Sequence, residues 1–188
     1  MNIKEIKDII DKAREERMAA YFPNMLPNVP KWDQFINHLD YEFHNPPECM
    51  PSGEFHTTYN GVVTKEGFYF HARDVVNQGE YKFFPEAKEA VSIFSEVYNE
   101  PTNGGATFLN IVGDEMQVDL HEDAEDSVFW QCQGDTEWEV FARGNNMSAI
   151  QKFHLFPGDV LVIPTEVPHR VIPSVARASI AFRYNRNK

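Results

Sequence analysis

The segment that decides the fold is VDLHEDAEDSVFWQCQGD, residues 118–135. Successive side chains of extended backbone point to opposite faces, so His121 and Asp123 leave the same face and can share one metal ion. An isolated His-x-Asp pair is common by chance. Its meaning therefore depends on whether a third ligand comes from a strand that returns beside this one.

The third ligand is predicted in PGDVLVIPTEVPHRVIP, residues 157–173. A Pro-Gly-Asp turn, a strongly apolar strand and a second turn precede His169 there. Two imidazoles and one carboxylate leave the other metal positions open, which is the facial arrangement of non-haem Fe(II) oxygenases. His121, Asp123 and His169 are therefore predicted to be metal ligands and catalytic residues. The alternative is a surface hydrogen bond between His121 and Asp123, with His169 capping a turn.

Short β-like segments surround these two stretches, each bounded by Gly, Pro, Asn or Asp. Closely spaced strands with turn residues between them indicate an all-β sandwich or barrel and not alternating strands and helices. The predicted strands include GFYFHA, ATFLNIV, MQVDL, SVFWQCQ, TEWEVFA, KFHLF, DVLVIP, HRVIP and RASIAFRY. We predict a mainly β fold, a double-stranded β-helix or jelly-roll barrel.

Helical patterns precede or interrupt these strands. Apolar residues at three- and four-residue spacing predict helices over about 2–20 and 31–43, and a third is predicted over 85–100, with a proline in its first turn. We expect residues 1–53 to be a helical extension packed on the barrel. Residues 54–188 are expected to form the double-stranded β-helix metal-binding domain.

Charge and composition indicate which classes of partner the protein does not bind. The 188 residues include 17 Lys+Arg and 29 Asp+Glu, for a net charge of -12, which repels phosphate backbones and anionic headgroups. No apolar run approaches the roughly 20 residues of a bilayer span, and the N-terminus is too charged for a signal peptide. We therefore expect a cytoplasmic protein that binds neither nucleic acid nor membrane.

The cysteines carry no predicted site. Cys49 and Cys132 are the only two, lie far apart and form no Cys-x-x-Cys pair. Neither a disulfide framework nor a thiolate zinc site is indicated, and both are expected to be reduced thiols.

Two longer stretches resemble a known superfamily. HEDAEDSVFWQCQGDTEWEVF (121–141) resembles the first metal motif of cupin-like and JmjC-like 2-oxoglutarate oxygenases, and FPGDVLVIPTEVPHRVIP (156–173) resembles the second. With RASIAFRY, the likeness covers about residues 106–184. The resemblance implies a cupin-like barrel that binds Fe(II) through His121, Asp123 and His169, with 2-oxoglutarate as cosubstrate.

The resemblance also implies a basic residue for the distal carboxylate of 2-oxoglutarate. In the JmjC branch this is a lysine shortly after the Gln-x-x-Gly element, but Thr136 occupies that place here. In the prolyl-hydroxylase-like branch an arginine after the distal histidine does this, and here Arg177 follows His169 by eight residues, with Ser179 two beyond. Strand alternation puts Arg177, Ser179 and Arg183 on one face, where a guanidinium fork can grip a carboxylate. Arg183 is the reserve candidate, and a solvent-facing Arg177 is the alternative.

Alternation also predicts the pocket wall. Ser127, Phe129 and Gln131 share one face, as do Thr136 and Trp138, so Phe129, Gln131, Thr136 and Trp138 are predicted to bind the cosubstrate. Ordinary filling of a barrel interior explains Phe129 and Trp138 equally well.

The predicted function is an Fe(II)- and 2-oxoglutarate-dependent oxygenase, a hydroxylase acting on a small molecule or a protein side chain. One alternative is a cupin metalloenzyme, a dioxygenase or isomerase, that works without 2-oxoglutarate. The other is a non-catalytic small-molecule-binding cupin. Oligomeric state stays open, and the helical extension offers a surface that a homodimer could bury.

Overall fold

The computed structural model describes residues 1–44, 62–64, 67–73, 81–102, 104–111, 118–173 and 176–185. Its helices are α1 (Ile3–Glu16), α2 (Trp32–His44) and α3 (Ala87–Tyr98). The first strands are β1 (Ala20–Phe22), β2 (Val62–Thr64), β3 (Gly67–Arg73), β4 (Gly104–Ile111) and β5 (Val118–His121). The later strands are β6 (Asp126–Gln133), β7 (Thr136–Ala142), β8 (Asn145–Leu155), β9 (Val160–Ile163), β10 (His169–Pro173) and β11 (Arg177–Tyr184).

Within the described residues the strands form two antiparallel sheets. One has seven strands in the order β1-β9-β6-β11-β4-β3-β2, and the other has four in the order β5-β10-β7-β8. Many neighbours, such as β1 and β9 or β4 and β11, are far apart in sequence, as in a jelly roll, whereas β2–β3 and β7–β8 are consecutive strands. The predicted mainly β, double-stranded architecture is confirmed.

The apolar residues pack in two clusters, one on each face of the seven-stranded sheet. The cluster on the helix side joins α1 and α3 to residues such as Val128, Trp130 and Ile180. The cluster between the two sheets contains Phe129 and Trp138, among others. Alternation along β6 therefore sends its side chains into two different cores. This arrangement explains why β6 and β11 are buried on both faces.

Helix α1 is defined by local signals at both ends. The Asn2 side chain accepts a hydrogen bond from the backbone N–H of Glu5, and the Glu5 carboxylate accepts one from the backbone N–H of Asn2, at 3.0 and 2.9 Å. This reciprocal capping box satisfies two donors that a helix start leaves open. The helix ends at Arg17, whose φ of 54° is left-handed.

The prediction that α1 reaches residue 20 was wrong. Ala20–Phe22 instead forms β1, which pairs antiparallel with β9 at the edge of the seven-stranded sheet. The Gln151 side-chain amide extends this contact, because its Oε1 accepts from Ala19 N at 2.7 Å and its Nε2 donates to Ala19 O at 3.2 Å. A strand of three residues is too short to show an alternation of apolar and polar side chains, so the sequence pattern did not reveal it.

Some predictions fall partly outside the described residues. The division into 1–53 and 54–188 stays a prediction, because its boundary lies there. Cys132 is a buried free thiol, whereas Cys49 lies outside the described residues. Within the described part of the chain, no helix combines the length and the apolar character needed to cross a bilayer.

A buried ion pair ties α1 to the barrel. The Asp126 carboxylate is fully buried and accepts hydrogen bonds from Arg14 Nε at 2.7 Å and from Thr165 N at 2.8 Å. A buried carboxylate that loses its cation is strongly destabilising. The N-terminal helix is therefore held by charge as well as by its apolar face.

We expect Arg14→Met to lower the free energy of unfolding by about 3 kcal/mol, because Asp126 stays buried without its cation. Urea denaturation measures this change. The matched control is Lys12→Met, which removes an exposed ion pair with Glu16 on the same helix and should cost less than about 0.5 kcal/mol. Equal effects of the two substitutions would contradict the structural role of the Arg14–Asp126 pair.

Candidate metal centre

The two histidines meet because β5 and β10 pair antiparallel. The register places His169 opposite His121, with their ring centroids 4.3 Å apart. Asp123 lies just past the end of β5. Candidate ligand atoms of His121, Asp123 and His169 all lie within 4.8 Å of one another. The three side chains can therefore hold one metal ion.

The Asp123 carboxylate is oriented by its neighbours. Ser127 Oγ donates to Asp123 Oδ2 at 2.6 Å, which leaves the carboxylate little freedom to rotate. The Asp123 carbonyl accepts from Glu166 N at 3.0 Å and from Thr165 Oγ1 at 3.2 Å. The turn before His169 thus holds the backbone of Asp123, so both candidate ligands are positioned by one local network.

His169 has the protonation state that a metal ligand needs. Its side chain is fully buried, and Nδ1 lies 2.9 Å from the Val167 carbonyl, which can only accept, so Nδ1 carries the proton. Burial and then the nearby His121 lower the pKa of His169, which favours the neutral ring. Its buried Nε2 makes no hydrogen bond within the described residues and lies 3.8 Å from Asp123 Oδ2. A lone pair at that place suits a divalent metal.

The candidate ligands open into a cavity of about 210 Å³ between the two sheets. Its lining combines these ligands with aromatic, aliphatic and basic side chains. The lining residues are Phe108, His121, Asp123, Ser127, Phe129, Trp138, His169, Val171, Arg177, Ser179, Ala181 and Arg183.

Strand β11 turns its polar face into this cavity. Arg177 is 2% exposed, and its Nη1 donates to Ser179 Oγ at 3.3 Å, so the guanidinium extends along the strand. Arg183 is half-buried at the other end of the same row. The alternative of a solvent-facing Arg177 is therefore excluded. Whether Arg177, Ser179 or Arg183 binds a cosubstrate stays a prediction.

Two aromatic rings form the wall beside His169. The Phe129 and Trp138 centroids are 4.4 Å apart, and Trp138 stacks against the His169 ring at 6.0 Å and 28°. Trp138 Nε1 is buried and has no hydrogen-bond partner within the described residues. Phe129 and Trp138 thus both fill the core and line the cavity, and the indole N–H offers a donor to a ligand.

Gln131 and Thr136 were predicted to line the pocket, but neither is among the residues that line the cavity. Thr136 Oγ1 donates to Gln131 Oε1 at 2.6 Å, and Gln131 Nε2 donates to the carbonyls of Gln133 and Gly134 at 2.8 and 3.2 Å. These bonds hold the β6–β7 turn and occupy both side chains. Thr136 therefore supplies no group to the cavity in place of the lysine of the JmjC branch.

Sequence reasoning missed Phe108 and Val171, which also line the cavity. Phe108 lies opposite Ser179 in the β4–β11 pair, and Val171 lies opposite Trp138 in the β10–β7 pair. Alternation along each strand could have found them once the strand neighbours were known. His154 instead pairs with Asp135, and neither residue lines the cavity.

No protein-family model and no curated protein matches the sequence. Among solved structures, Escherichia coli YcfD matches 100% of this chain and 54% of its own, with 14% identity and a TM-score of 0.69. A structure of YcfD, a ribosomal oxygenase, with cobalt and 2-oxoglutarate matches 95% of this chain and 52% of its own, with 15% identity and a TM-score of 0.65. The chain spans about half the length of these structures.

The chain therefore has the double-stranded β-helix fold of these YcfD structures. Likeness at this level of identity shows the fold and not the activity. Within that fold, this particular chain has a His-Asp-His cluster that can hold a metal and a buried arginine in the same cavity.

We expect Ser127→Ala to weaken metal binding about tenfold, because the hydrogen bond that orients Asp123 is lost. Titration with Co(II) against a competing chelator measures the affinity. Ser148→Ala is the matched control, since Ser148 is exposed on β8 and outside the cavity. If both variants bind Co(II) like the wild type, Ser127 does not position a ligand.

The lowered pKa of His169 predicts a pH dependence for the metal-free protein. Below the usual value of 6.5 the unfolded chain takes up a proton that the folded chain resists, so stability falls as the pH drops. We expect the free energy of unfolding of the wild type, relative to His169→Gln, to decrease between about pH 7.5 and about pH 5. Denaturant titrations in chelator at both pH values measure it, and a constant difference would contradict the burial of neutral His169.

Proposed function

We propose that the protein is an Fe(II)- and 2-oxoglutarate-dependent oxygenase that hydroxylates its substrate. The observation that carries the proposal is the presence, in one cavity, of a His-Asp-His cluster and a buried arginine. The first is suited to a divalent metal with open positions, and the second to a carboxylate.

The donor set fits Fe(II). Two neutral imidazole nitrogens and one carboxylate oxygen are the ligands of non-haem iron oxygenases. Two of the three donors are held in place by hydrogen bonds. Ser127 donates to Asp123, and His169 donates to the Val167 carbonyl. Supports of this kind raise ligand basicity and metal affinity.

Arg177 is the candidate partner of the distal carboxylate of 2-oxoglutarate. It is almost fully buried, and it lines the cavity together with Ser179, to which it donates a hydrogen bond. A guanidinium offers a carboxylate two parallel hydrogen bonds, and the serine hydroxyl can add another. Low exposure strengthens this charge pairing because water competes little.

With Fe(II) and 2-oxoglutarate bound, such a centre supplies oxidation by O₂, in which 2-oxoglutarate becomes succinate and CO₂ and a substrate C–H bond is hydroxylated. The chain's own contribution is binding, orientation and the exclusion of water. Phe108, Phe129, Trp138 and Val171 supply the apolar wall around the candidate ligands. The YcfD structure that contains cobalt and 2-oxoglutarate supports the proposal, because it gives a precedent for this pair in the same fold.

We expect the purified protein, mixed anaerobically with Fe(II) and 2-oxoglutarate, to show the weak visible charge-transfer band of the chelate. Arg177→Met should weaken 2-oxoglutarate binding at least about tenfold, because a charge-assisted bidentate contact is lost. Iron binding should be retained. Titration of the band with 2-oxoglutarate measures the affinity for 2-oxoglutarate, and the band intensity at saturation reports how much iron is bound.

The matched control is Arg143→Met, since Arg143 is exposed, pairs with Glu166 and lies outside the cavity lining. A wild-type protein without the band at saturating 2-oxoglutarate would remove the proposed function. If Arg177→Met titrates like the wild type, the proposed anchor is wrong.

A second candidate is a cupin metalloenzyme that acts without 2-oxoglutarate. The observation that favours it is Thr136, which replaces the JmjC lysine and has its hydroxyl bonded to Gln131. Arg177 would then hold a carboxylate of the substrate itself. A stoichiometric metal without the charge-transfer band would support this candidate, whereas a protein purified without metal would favour a non-catalytic binding module.

A further inference from the structure

We propose that Arg183 binds an acidic group of the primary substrate, so that the hydroxylated molecule is a small anion such as a carboxylate. This inference rests on the proposed function and names the substrate class of the same cavity. It assigns the two arginines of β11 to two different molecules.

Register places Arg183 beside the candidate metal ligands. In the β11–β6 pair Arg183 lies opposite Ser127, and Ser127 Oγ donates to Asp123 Oδ2 at 2.6 Å. Side chains on directly opposed residues start about 5 Å apart. Arg183 therefore enters the cavity at the level of Asp123.

Arg177 lies at a different depth. The two arginines are six residues apart on one face of β11, which corresponds to about 20 Å of extended strand. Ser179 and Ala181 line the cavity between them, and the Arg177 guanidinium is bonded to Ser179. One dicarboxylate cosubstrate that chelates the metal has one distal carboxylate, and Arg177 is the arginine placed deep in the cavity to receive it. Arg183 remains for a second ligand.

The charge of Arg183 is not balanced within the described part of the chain. There, Arg14, Arg143 and Arg170 each contact a carboxylate, whereas the Arg183 guanidinium makes no ion pair or hydrogen bond with a described residue, and only the Arg183 carbonyl accepts one, from Thr102 Oγ1. A half-buried cation loses part of its hydration, and an anion in the cavity offsets that cost. Phe129 and Ala181, opposite each other one step further along β6 and β11, add an apolar surface for the remainder of the ligand.

The net charge of -12 does not oppose this inference. Charges farther than about 8 Å are largely screened at physiological ionic strength. Local groups therefore decide what the cavity accepts. A cationic substrate would meet both Arg177 and Arg183, and its binding would be disfavoured.

The test uses the anaerobic Fe(II)–2-oxoglutarate protein with saturating 2-oxoglutarate, so that the cosubstrate site is filled. The probes are propionate, butyrate and phenylacetate, each compared with its neutral amide by calorimetric titration. We expect at least one carboxylate to bind about tenfold more tightly than its amide, as a charge-assisted hydrogen bond predicts. Arg183→Met should abolish this preference, and Arg143→Met should keep it.

Arg183→Lys is the second variant, because it keeps the charge without the bidentate fork and should retain part of the preference. Thermal denaturation shows whether Arg183→Met is folded. If it is not, the carboxylate preference is measured on Arg183→Lys instead. The inference is overturned if the wild type does not prefer any carboxylate, or if the preference survives in Arg183→Met.

The charge-transfer band separates this inference from the proposed function. Loss of the band in Arg183→Met but not in Arg177→Met would assign Arg183 to 2-oxoglutarate and overturn the inference, while the oxygenase proposal would stand. Absence of the band in the wild type would remove the oxygenase proposal itself.

Discussion

The whole candidate site depends on the antiparallel register of β5 and β10, which sets His121 opposite His169. Strand side chains alternate between faces, so a shift of one residue would turn His169 away from the cavity. The Thr165–Glu166 turn bonds the Asp123 carbonyl and so holds this register from outside the strands. The geometry of the three side chains is therefore a property of strand pairing and not of any one segment.

The same part of the barrel is coupled to the N-terminal helix. Asp126 contacts both Arg14 of α1 and the backbone of Thr165, and Thr165 in turn contacts Asp123. At the opposite end of β9, Asp159 accepts hydrogen bonds from Tyr21 Oη and Asn24 N, each at 2.7 Å. The N-terminal residues thus complete an edge of the seven-stranded sheet and bind Asp126 and Asp159 of the barrel. Burial of both faces of β6 and β11 follows from this layering.

Charge inside the cavity is arranged along one axis. Asp123 and His169 lie at one level, Arg183 enters near them and Arg177 lies deeper, while Phe129 and Trp138 also line the cavity. A divalent cation at the three candidate ligands and anions at the two arginines would leave the cavity close to electrically balanced. The lining by Phe129 and Trp138 lowers the local exposure to water, which makes each of these pairings stronger than it would be on the surface.

The sequence by itself determined the strand segments, the alternation of β11 and the three side chains that converge, because each depends on local periodicity and turn residues. Strands such as Thr136–Ala142 and Arg177–Tyr184 have the predicted bounds. Only the tertiary structure decided that Ala20–Phe22 is a strand, that Gln131 and Thr136 bond each other, and that Phe108 and Val171 face the cavity. Those features depend on which strands become neighbours and in what register, and pairing between distant segments leaves no mark in either segment alone.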